Sequence, residues 1–208
     1  MRTILLVCIL LTLSVTCAAD PEGYRRIESV AASVNGEVLF LSDVIREACF
    51  YRCGTVPGQA PQEMSLSRAR EMLIADTLVL QEAKKLGLGA VDNEALASST
   101  AEALSRTGKC TSPCAASLTE TEVRELLSRR LLVRDFLERR IAIFIEVNDG
   151  EVRRETAQRS RAGLPPEELS EEKVRKSLSE EKAAAEIRNW FARSTSKSRI
   201  VLSPLPEP

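Results

Sequence analysis

Residues 30–44 read Val-Ala-Ala-Ser-Val-Asn-Gly-Glu-Val-Leu-Phe-Leu-Ser-Asp-Val, with Asn35-Gly36 set between two runs of strand-type residues. A two-residue type I′ turn needs φ > 0 at both central positions, which Asn and Gly tolerate best, so the stretch predicts a β-hairpin from residues 27–34 into 37–41. A lone two-stranded hairpin is barely stable in water. A second strand-like run, Ser-Arg-Ile-Val-Leu-Ser at 198–203, lies near the opposite end of the chain and is expected to complete the sheet. The two ends of the domain would then meet.

Between these strands the pattern is helical. Ser42 is the expected N-cap of a helix holding Val44, Ile45, Ala48 and Cys49 on one side and ending at Cys53-Gly54. Residues 54–64, with two Gly and two Pro, read as a loop. From Ser65 to Leu86 the apolar positions Leu66, Ala69, Met72, Leu73, Val79, Leu80, Ala83 and Leu86 recur at helical spacing and stop at Gly87. A third helix runs from about Asp92 to Arg106. Thr119 with Glu122, and Asn148 with Glu151, form capping boxes that open two more. The first of these carries Val123, Leu126, Val133, Leu137, Ile141 and Phe144; the second is short and charged and ends near Gly163. After Pro165-Pro166 a last helix spans about Glu167 to Arg193, with Val174, Leu178, Ile187, Trp190 and Phe191 on its apolar face. The fold class is mainly α, a multi-helix domain with a small antiparallel sheet made by an N-terminal hairpin and a C-terminal strand.

Composition narrows the chemistry. The chain has 208 residues, 29 Lys+Arg against 30 Asp+Glu, and no histidine. Balanced charge disfavours a phosphate-neutralising surface, so nucleic acid is not an expected partner. Absence of histidine removes imidazole-based triads, HExxH proteases and His-type zinc sites. Leu-Ser-Glu-Glu-Lys occurs at 169–173 and again at 178–182, each with a formal SxxK. Those lysines sit among glutamates on a polar helix face, where nothing would desolvate them into a base. Gly87-Leu88-Gly89 lacks the third glycine of a dinucleotide loop and follows a helix. No constellation for catalysis and no cofactor site emerges; the chain does not read as an enzyme.

Arg2, the apolar run Thr3–Leu13 and the small residues up to Ala19 follow the order of a cleaved secretory signal, with residues 1–19 removed. The run is too short to span a bilayer. A lipoprotein anchored at Cys17 is the alternative, disfavoured because Thr16 is not the small residue such a site requires. Four cysteines remain in the exported chain, as two CxxxC pairs, Cys49/Cys53 and Cys110/Cys114. In an oxidising compartment they read as two disulfides. Cysteines i, i+4 on a helix are poorly oriented for each other, which favours antiparallel cross-links, Cys49 to Cys114 and Cys53 to Cys110. Pairing within each CxxxC stays open, because Pro113 interrupts any helix through the second pair. A four-cysteine zinc site is chemically feasible but competes with oxidation outside the cytoplasm.

Residues 30–44 also resemble the opening of SurA-type periplasmic folding factors, a V-A-x-V-N-G hairpin followed by S-D-V and a helix. Ala83-Lys84-Lys85-Leu86-Gly87-Leu88 with Val91-Asp92, Val147-Asn148-Asp149-Gly150-Glu151-Val152, and the last helix with Arg199-Ile200-Val201 are similar to later parts of the same domain. The resemblance implies a chaperone domain over residues 20–203, a disordered tail at 204–208, a periplasmic location, and ATP-independent holding of unfolded outer-membrane or secreted polypeptides. The segment between Val147 and Glu167 is too short for a parvulin module, so prolyl isomerase activity is not carried over. Phe136, Phe144, Trp190 and Phe191 are the candidate peptide-binding residues. A homodimer is compatible with this reading. A structural subunit of an envelope assembly, or a thiol–disulfide oxidoreductase using Cys49, Cys53, Cys110 and Cys114, are the alternatives.

Overall fold

The computed structural model describes residues 28–53, 63–140 and 145–206. The expected signal, with Cys17, and the candidate Phe144 lie outside the described residues. Strands β1 (Val30–Val34) and β2 (Glu37–Phe40) form the hairpin, and β3 (Ile200–Leu202) pairs antiparallel with the other edge of β1, giving the order β2-β1-β3. Asn35 and Gly36 take φ of 54° and 91°, the left-handed pair that the turn requires. Ala32 lies opposite both Leu39 and Leu202, and Val34 opposite both Glu37 and Ile200, so one face of β1 is shared by all three strands.

Six helices surround this sheet among the described residues: α1 (Leu41–Arg52), α2 (Leu66–Lys85), α3 (Asn93–Thr107), α4 (Glu120–Arg140), α5 (Asp149–Arg161) and α6 (Glu171–Ser196). Local chemistry sets most of their starts. Ser65 Oγ accepts from the Arg68 N–H at 3.2 Å, Asp92 Oδ1 from the Glu94 N–H at 2.9 Å, and Asn148 Oδ1 from the Glu151 N–H at 3.0 Å. Thr119 and Glu122 exchange the reciprocal bonds of a capping box.

Two helix starts differ from expectation. Ser42 is not the cap of α1, because β2 runs into the helix without a linker: the Leu41 N–H donates to Ser29 O at 2.7 Å and the Asp43 carboxylate reaches back to the Phe40 N–H at 3.0 Å. The last helix begins four residues late, since Pro165-Pro166 first impose a 3-10 turn, Pro166–Glu168, before Ser170 opens α6. Residues 204–206 of the expected disordered tail are also placed. The Ser203 N–H donates to Ala31 O at 3.1 Å, its carbonyl accepts from Arg70 Nη1 at 2.7 Å, and Leu205 then packs against the apolar layer under the sheet.

The core falls into three apolar clusters. Ala31, Ala32, Val34 and Leu39 pack on Val44, Ala48, Ala69 and Leu73, where small side chains let α1 and α2 approach the sheet closely. Phe50 and Tyr51 join Leu96, Ala103, Val123 and Leu127 around the cysteines. Val79, Ala83 and Phe136 form a third, flanked by Trp190 and Phe191. The α5–α6 hairpin buries only Val152 and Val174 and is laced by ion pairs such as Arg175–Asp149 at 2.7 Å and Lys182–Glu151 at 2.7 Å.

Candidate functional site

Both disulfides have the antiparallel connectivity. Cys49 is bonded to Cys114 and Cys53 to Cys110, with Cα separations of 5.9 and 5.1 Å. The last turn of α1 presents Cys49 and Cys53 on one side, and the second pair flanks the start of a 3-10 turn, Pro113–Ser117, where Pro113 interrupts the backbone as its ring demands. The staple ties α1 to the α3–α4 connection. Cys49 is 2% exposed, at a helix C-terminus, where the helix dipole disfavours a thiolate.

Beside the Cys49–Cys114 bridge lies an apolar groove of about 500 Å³, walled by Ile45 and Ala48 of α1, Met64 and Leu66 at the entry to α2, and Leu205 of the tail. Ile45 is 42% exposed although it shares the apolar stripe of α1. The outer face of the sheet is apolar as well. Register places Val38 and Val201 on either side of Ser33 and pairs Val30 with Phe40, and all four apolar side chains are 40–50% exposed.

A second cavity of about 360 Å³ opens between α2, α4 and α6, lined by Asp76, Arg130, Val133, Leu137 and Ile187. Behind it is a buried charge cluster. Glu47 is 1% exposed and accepts a charge-assisted hydrogen bond from Arg130 Nη2; Nη1 of the same guanidinium donates to Tyr51 Oη at 2.8 Å. The guanidinium also lies over the Tyr51 ring, 4.6 Å from its centroid. Burial pushes the Glu47 carboxyl upward against the pull of Arg130 and Arg129, and raises the Tyr51 phenol as well. Asp76 is pushed up to about 6, first by burial and then by the negative charge of Glu47.

Of the candidate peptide-binding residues, Phe136 is 1% exposed and lies in the third core cluster with Val79 and Ala83. Trp190 and Phe191 are half-buried and meet in series, Phe136 to Trp190 tilted at 5.5 Å and Trp190 to Phe191 edge-on at 5.0 Å, against the third cluster. Glu47, Asp76 and Arg130 escape sequence reading, which assigns helical charges to solvated faces. A signal exists, since each occupies an apolar-stripe position: Glu47 between Val44 and Tyr51, Asp76 between Leu73 and Leu80, Arg130 between Val123 and Leu137.

The architecture is that of a mainly α domain closed by a three-stranded antiparallel sheet and stapled by two disulfides. Among known proteins, no family model and no curated relative matches the chain. Among the described residues, no helix is long and apolar enough to cross a membrane.

Proposed function

We propose that this protein is an ATP-independent holdase of the cell envelope, exported through residues 1–19, that shelters apolar segments of unfolded exported polypeptides without isomerising them. The observation that carries the reading is the open apolar groove beside the Cys49–Cys114 bridge. Transient capture of an extended apolar segment needs no nucleotide and no catalytic group, only such a surface held open by a rigid frame. The disulfides supply rigidity on one wall, and the hydrogen-bonded tail supplies it on the other.

The test is light scattering of an outer-membrane β-barrel protein diluted from denaturant, with and without one equivalent of the chain. Suppressed scattering, abolished by Ile45→Asp, is the expected result. Unchanged scattering at that ratio removes the holdase reading and leaves a structural subunit of an envelope assembly as the successor.

A further inference from the structure

We propose that Cys49, Cys53, Cys110 and Cys114 form a zinc site in the reduced protein, a tetrahedral four-thiolate centre that replaces the two disulfides as the link between α1 and the α3–α4 connection. This goes beyond the holdase reading and does not depend on it. The Sγ atoms of Cys49, Cys53 and Cys114 all lie within 4.8 Å of one another, and Cys110 Sγ, outside that set, is bonded to Cys53 Sγ and is the fourth ligand brought in when that bond opens. A tetrahedron with Zn–S bonds of about 2.3 Å sets its sulfurs roughly 3.8 Å apart, so both S–S bonds open and Cys110 Sγ moves in toward the other three. Both CxxxC spacings fall in the range used by structural zinc sites.

The surroundings supply the other requirements. Ser112 Oγ is 3.2 Å from Cys114 Sγ, placed to donate its proton to a thiolate and steady it. Cys49 and Cys114 line the open groove, which gives a cation its path inward. The dication itself outweighs the unfavourable helix end.

Conversion requires a dithiol reductant. Two dithiol molecules each break one S–S bond by exchange, transferring two electrons and two protons, and leave as disulfides; four protein thiols result. Zn²⁺ then forms four Zn–S bonds and releases four protons, with no change in oxidation state.

The full chain, reduced with a phosphine and freed of oxygen, is titrated with Co²⁺ and then Zn²⁺. Expected are one Co²⁺ per chain with the intense visible bands of tetrahedral thiolate coordination, stoichiometric displacement by Zn²⁺, and no binding by the oxidised chain. Cys53→Ser/Cys110→Ser abolishes those bands, and Ser112→Ala weakens Zn²⁺ binding by about 10-fold. If reduction alone lowers helicity, far-UV circular dichroism recovers on adding Zn²⁺. Pale octahedral Co²⁺ spectra, a metal ratio other than one, binding equal to that of the double variant, or helicity that zinc fails to restore would each overturn the proposal.

Discussion

Asn35 Oδ1 accepts a hydrogen bond from the Arg199 N–H at 2.9 Å, across 164 residues of sequence. The Asn35 N–H returns one to Arg199 O at 2.8 Å, and its amide also donates to Gln81 Oε1 of α2 at 2.8 Å. One residue therefore makes the hairpin turn, joins the last strand to the first and pins both to α2. Asn35→Ala loses the side-chain bonds and places a residue at φ 54°, so it should cost about 3 kcal/mol in urea unfolding. Asn35→Gly keeps the turn and should cost about 1 kcal/mol less than Asn35→Ala.

The disulfides close loops of 65 and 57 residues, each worth about 4 kcal/mol if formed alone. They are nested, however. With one bridge in place the other closes a ring of only about ten residues, worth roughly 3 kcal/mol. Cys49→Ser/Cys114→Ser or Cys53→Ser/Cys110→Ser should each destabilise by roughly 3 kcal/mol, and the quadruple variant by roughly 7 kcal/mol. Calorimetry on the three variants checks this; equal costs for double and quadruple variants would contradict it.

Asp76 is raised to about 6 in the folded chain, above the carboxylate's ordinary value, so the folded state holds the proton more tightly than the unfolded one. Its contribution is fully present below about pH 4 and is lost as pH rises through about 6. Asp76→Asn removes that loss. The variant should match the parent at pH 4 and exceed it by about 2 kcal/mol at pH 8 in parallel denaturant titrations. An equal gap at both pH values would count against this assignment.

Arg130→Met leaves Glu47 buried without its cation and should cost 3–5 kcal/mol, about the penalty of any uncompensated buried charge. Adding Glu47→Leu should recover most of that, because the pair then becomes apolar. A double-mutant cycle by urea unfolding reads the coupling directly.

Phe136→Ala should cost about 3–5 kcal/mol as a core truncation, whereas Ile45→Asp, at a 42% exposed position on the groove, should change stability by under about 1 kcal/mol. Thermal unfolding distinguishes the two, and only the second leaves a folded protein in which loss of aggregation suppression is informative.

Much of this fold is written locally. Asn35-Gly36 announces the hairpin because few residues accept positive φ, and Asn148 with Glu151 announces α5 because the two satisfy each other's orphan backbone groups. The crossed disulfides agree with side-chain direction on a helix, since Cys49 and Cys53 lie on one side of α1. Boundaries shaped by neighbours were less legible. The start of α1 depends on Ser29 and that of α6 on a proline-driven turn.

By itself, then, the sequence determined the element types and the strand that completes the sheet, and favoured the crossed pairing of the four cysteines that the tertiary structure settled, because turn dihedrals, capping bonds and helical periodicity act within a few residues. Tertiary structure alone decided which apolar side chains became core and which became surface. Phe136 and Ile45 both lie on apolar stripes, yet one is sealed by Trp190 and the other borders an open groove. It also decided that Glu47, Asp76 and Arg130 share one charge cluster behind the second cavity. Burial and charge coupling depend on distances between helices far apart in the chain, and no local pattern encodes those distances.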